Sequence, residues 1–397
     1  MNVEQIGVVG AGTMGTGIAM LSSLGGYETL IWDPDEDALD RAAAAIGDAL
    51  GRGEGKHWTP DEAEAAALRL IDVPMIGDLS ECDLIIEAAP ESLTLKRTLF
   101  ASLAMSCGPD TILATNTSSL RVTDIGGDLP EPGRVVGMHF FNPPTVMKLV
   151  EVVATEHSSA DAVDAVAEVA ERMGRTPIRA RDTPGFIANR LARPFSLESL
   201  RMLEHEVADA PTIDRVCRLG GGFRMGPFEL LDLIGLDVNL SVAHSFYEQG
   251  GKPERWRPSA LQERMVEEGN RGRKTGLGFY RYSENERHRE PDPDLGIKPP
   301  TLDPGELAKI DPAAPRILPR LIAQIANEAA FALEEDAGSG ADMNTAMRLG
   351  FNWPLGPHEF AGLIGATRAV ELLTELEQRH GEAYRPSPWL IAEAERK

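Results

Sequence analysis

The sequence predicts an α/β domain with a doubly wound, mostly parallel sheet, followed by two related all-α domains. Strand-like and helix-like segments alternate over residues 6–182, which is typical of βαβ units. Helical periodicity dominates after Pro184, where strand patterns largely vanish. An internal repeat divides this helical half into two copies of one unit.

Seven apolar segments are the predicted strands of the first domain. They are IGVVG, ETLIWD, DLIIEA, TILATN, RVVGMHF, KLVEVV and TPIRA. Helical segments lie between them, and one of these, SSADAVDAVAEVAERMG, starts with serine and has Gly174 just past its end, as helix caps require. The alanine-rich stretch 36–70, with a glycine-rich break at 51–55, predicts a helical hairpin inserted after the second strand.

The internal repeat relates two segments of the helical half. RLGGGFRMGPFELLDLIG at 218–235 recurs as RLGFNWPLGPHEFAGLIG at 348–365, an offset of 130 residues (348 − 218). Two copies of a helical unit commonly pack against each other. We therefore expect a first domain over 1–183, a helical domain over 184–282, a proline-rich linker over 283–312 and a second helical domain over 313–397.

Composition and charge exclude several classes of partner. Lys and Arg number 39 against 62 Asp and Glu, a net charge of −23, which disfavours nucleic acids and anionic membranes as partners. No apolar run approaches the roughly 18 residues of a membrane-spanning helix. The three cysteines, Cys82, Cys107 and Cys217, form no C-x-x-C motif, so we expect no disulfide framework, no metal site and a cytoplasmic location.

The first strand leads into a glycine-rich loop, GAGTMG, at 10–15. In a dinucleotide-binding loop Gly10 makes the tight turn, Gly12 lets a pyrophosphate approach the backbone, and Gly15 allows close helix–sheet packing. Asp33 ends the second predicted strand, where a carboxylate binds ribose hydroxyls and repels a 2′-phosphate. The pattern predicts an NAD-binding Rossmann domain; the alternative is a structural glycine turn beside a surface aspartate.

Two polar residues interrupt apolar strands in GMHFFNPPTVMKLVEVV, at 137–153. Taken alone, each residue has a structural interpretation: His139 could end a strand, and Glu151 could lie on an edge strand. Catalysis is the alternative for both.

Other polar residues favour the catalytic interpretation of this pair. TNTSSL places Asn116 and Ser118 directly after a strand, at the sheet edge where α/β proteins bind ligands. PGFIANRL places Asn189 in the first turns of the helix that leaves the α/β domain. Together these residues are compatible with a general base, a carboxylate that orients it, and neutral donors that hold a substrate oxygen.

These motifs resemble the 3-hydroxyacyl-CoA dehydrogenase family. The resemblance covers nearly all of residues 1–282 through GAGTMG, EAAPESLTLK, TNTSSL, GMHFFNPP, LVEVV, DTPGFIANRL and RKTGLGFYRY. The tandem helical copy resembles the dehydrogenase half of the multifunctional fatty-acid oxidation protein. The resemblance implies an NAD-dependent oxidoreductase of fatty-acid β-oxidation or of aromatic-acid degradation, which oxidises the hydroxyl of an L-3-hydroxyacyl-CoA to a ketone.

The resemblance also implies a role for each site residue. His139 would be the general base, assisted by Glu151, while Ser118 and Asn189 would hold the reacting oxygen of the substrate. The NAD site would be lined by Gly10, Gly12, Thr13, Met14, Gly15, Asp33, Ala89, Glu91, Lys96, Asn116 and Asn142. For Lys96 the alternative is a solvated residue on the following helix.

One departure from the family pattern keeps other functions open. The predicted hairpin offers few cations for CoA phosphates: Arg52 and Lys56 are the candidates, with Arg69 nearby. A dehydrogenase of a free 3-hydroxy acid or sugar acid, of the gulonate type, is therefore an alternative. A noncatalytic NAD-binding subunit that holds a hydratase or thiolase partner is another. The second helical copy is expected to pack on the first, giving a monomer with an internal pseudo-dimer or a homodimer.

Overall fold

The computed structural model describes residues 2–53, 57–287 and 299–396. The chain divides into two compact units, Met1–Phe186 and Ile187–Lys397. Within the described ranges no helix is long and apolar enough to cross a membrane.

An eight-stranded sheet forms the centre of the first unit. Its strands are β1 (Gln5–Val9), β2 (Glu28–Trp32), β3 (Leu70–Asp72), β4 (Leu84–Glu87), β5 (Ile112–Thr115), β6 (Val135–Phe140), β7 (Leu149–Ala154) and β8 (Thr176–Arg181). They lie in the order β3-β2-β1-β4-β5-β6-β7-β8. Every neighbouring pair is parallel except β6 and β7. The predicted doubly wound, mostly parallel sheet is confirmed.

All seven predicted strands are present, and the eighth, β3, was not predicted. It is three residues long at the sheet edge, and two of the three are exposed. It follows directly on the helix Pro60–Arg69, so the alanine-rich helical pattern runs into it without a turn signal.

In the described part of this unit, six α-helices accompany the sheet: α1 (Thr13–Leu24), α2 (Glu36–Gly53), α3 (Pro60–Arg69), α4 (Leu93–Ser106), α5 (Val122–Gly126) and α6 (Ala160–Arg172). Helices α2 and α3 match the predicted hairpin. A reciprocal capping box between Thr59 and Glu62 starts α3. Ser159 caps α6 through the Ala162 amide, and Gly174 follows it with φ +70°, as the sequence predicts.

The central strands leave little room for polar groups except at their ends. Ile6 and Val8 of β1 and Leu84 and Ile86 of β4 are fully buried, because helices cover both faces of a parallel sheet. The chain passes from β1 through α1 to β2 on one side and later returns to β4 on the other side of β1. This reversal opens a crevice at the carboxyl ends of the strands.

The second unit is built from helices. They are α7 (Ala188–Glu204), α8 (Ala210–Leu219), α9 (Pro227–Ile234), α10 (Leu236–Gln249), α11 (Ala260–Glu267), α12 (Glu284–Arg287), α13 (Pro304–Ile310), α14 (Ala314–Glu334), α15 (Gly340–Gly350), α16 (Pro357–Ile364), α17 (Ala366–His380) and α18 (Pro388–Glu395). Two of these, α12 and α13, lie within the stretch expected to be a linker, and residues 288–298 of that stretch fall outside the described ranges.

Reciprocal ion pairs join the two helical copies. Arg190 in α7 donates from Nε to Glu328 in α14 at 2.7 Å. Arg320 in α14 donates to Glu198 in α7. Arg190 and Arg320 are 130 residues apart, as are Glu198 and Glu328, so the repeat is a pseudo-two-fold relation of the kind seen in isologous dimer interfaces. The residue of α14 that corresponds to Asn189 is Pro319.

Candidate active site

The glycine loop lies at the carboxyl end of β1. Gly10 has φ +105°, and a Cβ there would lie 2.8 Å from the Ala88 carbonyl oxygen. A Cβ on Gly15 would overlap the Gly10 carbonyl oxygen. At Gly12, the N-cap of α1, a Cβ would meet nothing within 4 Å. The fold therefore requires Gly10 and Gly15, while Gly12 keeps open space in front of amides at a helix N-terminus, where anions bind.

Asp33 lies just past the end of β2, next to this loop. Its Oδ2 accepts the Ala11 amide at 2.8 Å, and its Oδ1 accepts the Asp35 amide at 2.9 Å. These two hydrogen bonds fix the carboxylate beside the glycine loop. Each oxygen retains a second lone pair, so the group can still accept a ribose hydroxyl.

His139 and Glu151 form a buried pair across two strands. They are direct partners in the antiparallel β6–β7 register. His139 Nδ1 lies 2.8 Å from Glu151 Oε2, and the two residues are 5% and 0% exposed. With Glu151 ionised, its carboxylate can only accept a hydrogen bond; Nδ1 then carries the proton, and in the neutral ring Nε2 keeps its lone pair.

Aromatic rings surround the imidazole. The ring centroid of Phe141 lies 4.6 Å from that of His139, and the Phe186 centroid lies 5.8 Å away. Apolar neighbours exclude water and strengthen the electrostatic attraction between an imidazolium and its carboxylate. The pair is therefore built to hold one ring orientation and to stabilise positive charge on that ring.

The loop after β5 is anchored from two sides. Asn116 Oδ1 accepts the Phe140 amide at 2.8 Å, which ties the end of β5 to the end of β6. Glu91 Oε1 accepts the Thr117 hydroxyl at 2.6 Å and the Ser118 amide at 3.1 Å. The exposed Ser118 is thus held by its own backbone at the carboxyl edge of the sheet.

Ionised Glu91 is favoured by these contacts. Partial burial acts to raise the pKa of Glu91, but hydrogen bonds from Thr117, Ser119 and Ser118, together with the charge of Lys96, outweigh burial and lower that pKa.

Lys96 is buried, so the interpretation of a solvated lysine is wrong. Its side chain is 1% exposed, and its Nζ lies 2.7 Å from Glu87 Oε1, 3.4 Å from Glu91 Oε2 and 3.3 Å from the Ala89 carbonyl oxygen. Lys96 donates hydrogen bonds to Glu87 and to the Ala89 carbonyl, and Glu91 is an ion-pair partner. Lys96 therefore holds the positions of Glu91 and Ala89, and its role towards a cofactor stays a prediction.

The remaining predicted residues lie in several places. Thr13 and Met14 form the first turn of α1, and Asn142 is exposed after β6. Asn189 is half-buried in the first turn of α7, in the second unit. Arg52 is exposed in the last turn of α2, and Lys56 lies outside the described residues.

Sequence reasoning missed the extent of the network around Glu87. This carboxylate is fully buried at the end of β4 and accepts from the Ala89 amide, Lys96 and the Thr115 hydroxyl. A glutamate that ends an apolar strand was the available signal, but its partners come from three different elements. Among the described residues no group of His, Cys, Asp or Glu is arranged to hold a metal ion.

Comparison with known proteins relates the two units to one family. The sequence profile described as 3-hydroxyacyl-CoA dehydrogenase, NAD binding domain, matches residues 5–183. The profile described as 3-hydroxyacyl-CoA dehydrogenase, C-terminal domain, matches residues 185–282 and again residues 317–396.

Individual relatives extend over the whole chain. The 3-hydroxyadipyl-CoA dehydrogenase of Escherichia coli K12 is 36% identical, over 97% of this chain and 96% of the relative. The crystal structure of 3-hydroxybutyryl-CoA dehydrogenase from Escherichia coli K12 shares 34% identity and a TM-score of 0.88, over 99% of this chain and 98% of that one. The dehydrogenase part of multifunctional enzyme 1 from Caenorhabditis elegans shares 26% identity and a TM-score of 0.64, over 99% and 90%.

Proposed function

The chain belongs to the 3-hydroxyacyl-CoA dehydrogenase family of NAD-dependent oxidoreductases, and on that premise we propose that His139 is its catalytic base. The observation that carries the proposal is the buried His139–Glu151 pair, with its 2.8 Å hydrogen bond. The pair leaves Nε2 as the proton acceptor. The substrate would be an L-3-hydroxyacyl-CoA whose 3-hydroxyl becomes a ketone.

The residues of the first unit fit NAD. Gly12 leaves open space at the N-terminus of α1, where the pyrophosphate would bind, and Asp33 offers fixed carboxylate oxygens to a ribose. Bound NAD supplies the hydride acceptor. Replacing Asp33 with serine should raise kcat/KM with NADP relative to NAD by about tenfold or more, because the serine no longer repels a 2′-phosphate. The same substitution at the exposed Asp37 is the control, and an unchanged cofactor ratio would rule out the ribose role.

In oxidation, His139 Nε2 accepts the proton of the substrate hydroxyl as the C3 hydride leaves. Glu151 then stabilises the imidazolium through Nδ1. Ser118 and Asn189 would donate hydrogen bonds to the reacting oxygen and hold it in place. In the reverse direction the imidazolium returns the proton to the new alkoxide, so reduction should be favoured at lower pH.

The CoA thioester is favoured over a free acid by the match of both units to the family. Arg52 is exposed at the end of α2 and is a candidate contact for a CoA phosphate, together with Lys56. Arg69 is less available, because its Nη1 lies 3.4 Å from the Ser23 carbonyl oxygen, to which it donates.

The test compares substrates by NADH absorbance. Purified protein with NAD should turn over L-3-hydroxybutyryl-CoA far faster than free 3-hydroxybutyrate or gulonate. Turnover of the free acids without turnover of the thioester would show that the substrate class is wrong. Absence of activity with all three, in protein that binds NAD, would instead favour a noncatalytic subunit.

The assembly and location are further parts of the proposal. Reciprocal pairs between α7 and α14 support a second helical copy that supplies, within one chain, a contact of the kind found between subunits. A monomer is therefore expected by light scattering. The three free, buried cysteines suit a reducing compartment, in keeping with a cytoplasmic protein.

A further inference from the structure

Arg193 is a buried cation that has no ion-pair or hydrogen-bond partner among the described residues. Three arginines of the second unit are buried in the described ranges: Arg190, Arg193 and Arg320. Arg190 pairs with Glu328 and Glu335, and Arg320 pairs with Glu198. Arg193 is 8% exposed, and among the described residues its guanidinium makes no ion pair or hydrogen bond. The Phe246 ring lies 5.2 Å from its guanidinium carbon.

An unpaired buried guanidinium is expensive to keep. Removing a cation from water is unfavourable unless an anion or several acceptors compensate it. Burial lowers the pKa of Arg193 to about 10, which still leaves the group charged at neutral pH. Nε of this guanidinium is shielded from solvent and has no hydrogen-bond partner, so the compensation for the charge comes from water or from a bound anionic group.

Arg193 lies in α7 close to Asn189, the residue proposed to hold the reacting oxygen of the substrate. It lies four residues after Asn189 in α7, so both side chains leave the same face of the helix, one turn apart. Four residues of helix rise about 6 Å. A guanidinium presents paired donors that match a carboxylate.

We propose that Arg193 binds the distal carboxylate of a dicarboxylic 3-hydroxyacyl thioester, and so selects this substrate class over chains that end in a methyl group. The inference rests on the proposed function, in which Asn189 holds the 3-oxygen. In a six-carbon dicarboxylic chain, three carbon–carbon bonds of about 1.5 Å separate C3 from the carboxylate carbon. With a hydrogen bond of about 3 Å at each end the extended span is about 10 Å, which exceeds the rise of about 6 Å between Asn189 and Arg193 by a distance within the reach of a long arginine side chain.

A structural explanation of Arg193 makes a different prediction. A cavity of about 10 Å³ is lined by Arg193, Gln324 and Glu328 among others, and it has room for about one water. If such a water compensates the charge, Arg193 stabilises the unit and has no preference among substrates. Its replacement would then weaken folding and affect every substrate alike.

The experiment measures kcat/KM for two substrates of equal length, 3-hydroxyadipyl-CoA and 3-hydroxyhexanoyl-CoA, with NAD. The wild type should prefer the dicarboxylic substrate by about 100-fold or more. Arg193→Met should lower kcat/KM for 3-hydroxyadipyl-CoA by roughly 30- to 1,000-fold, because loss of a buried charge pair is costly. It should change kcat/KM for 3-hydroxyhexanoyl-CoA by less than about threefold. Arg193→Lys should fall between, because a lysine cannot form the bidentate contact. Arg368→Met, on the exposed surface of α17, is the matched control.

Equal losses for both substrates in Arg193→Met, or a wild type without preference for the dicarboxylic chain, would overturn the inference. The wild-type comparison decides the question even if the Met variant does not fold, which circular dichroism would reveal. A wild type that uses only the hexanoyl substrate would disprove the role of Arg193 and leave the proposed function standing. A wild type that uses neither thioester would disprove the proposed function itself.

Discussion

Replacing Glu151 with glutamine tests the catalytic pair most directly, because the substitution keeps the shape of the side chain and removes its charge. In the wild type an imidazolium on His139 would lie 2.8 Å from the carboxylate oxygen. At an effective dielectric constant of about 20 this attraction is about 332/(20 × 2.8), or about 6 kcal/mol. If this attraction were lost entirely in the transition state, the rate would fall by at most about four powers of ten. General acid–base catalysis contributes about 10²–10⁴, so kcat should fall by that factor.

A second effect acts in the same direction. The glutamine amide can turn its N–H₂ group towards Nδ1, which would favour the tautomer that carries its proton on Nε2. That tautomer cannot accept the substrate proton. The loss should therefore appear mainly in kcat, with little change in the KM for the thioester.

The assay follows NADH absorbance with saturating NAD and L-3-hydroxybutyryl-CoA. The control is Glu171→Gln, on the exposed surface of α6, which should keep full activity. Thermal melts of both variants show whether any loss of activity reflects unfolding. A well-folded Glu151→Gln enzyme with kcat within threefold of the wild type would refute the assignment of base and orienting carboxylate.

Three further predictions concern the cofactor loop, the buried lysine and the response to acid. Gly12→Ala should keep the melting temperature and weaken NAD binding, whereas Gly15→Ala should lower the melting temperature because its Cβ overlaps backbone. A lower melting temperature for Gly12→Ala than for Gly15→Ala would contradict the loop geometry. Lys96→Met leaves a buried carboxylate unpaired and should lower the free energy of unfolding by about 3 kcal/mol or more in urea titration; a loss below about 1 kcal/mol would contradict this. Burial, the stacked ring of His380 and the charge of Arg320 lower the pKa of His205 to about 4, below its unfolded value of about 6.5. The contribution of His205 to stability is therefore full above pH 6.5 and is lost as the pH falls towards 4. His205→Gln should flatten this part of the pH–stability curve, and an unchanged slope would be evidence against it.

Much of the fold could be read from periodic patterns. The apolar strands, their alternation with capped helices and the helical repeat all depend on local residue choice, and each is present in the structure. The short strand β3 escaped prediction because its exposed residues have no alternation and adjoin a helix. Its identity as a strand comes from pairing with β2, which is a contact between distant parts of the chain.

The candidate site was predictable in part. The order of residues shows that His139 and Glu151 interrupt apolar strands, but their direct contact depends on the antiparallel register of β6 and β7. A shift of one residue would turn one side chain to the opposite face of the sheet. For Lys96 the sequence left a solvated helix residue open as an alternative to a cofactor role, and tertiary packing excludes that alternative because it buries the side chain.

By itself, the sequence determined the α/β and helical halves, the NAD-binding loop, the family and the set of polar residues, because these depend on local patterns and short motifs. Only the tertiary structure decided which polar groups have partners. It joined His139 to Glu151 and Lys96 to Glu87, and it paired Arg190 with Glu328. In the part of the chain that the structure describes, it gave Arg193 no anion. The physical reason is that the cost of a buried charge depends on what lies within a few ångströms of it, and those neighbours come from distant parts of the chain.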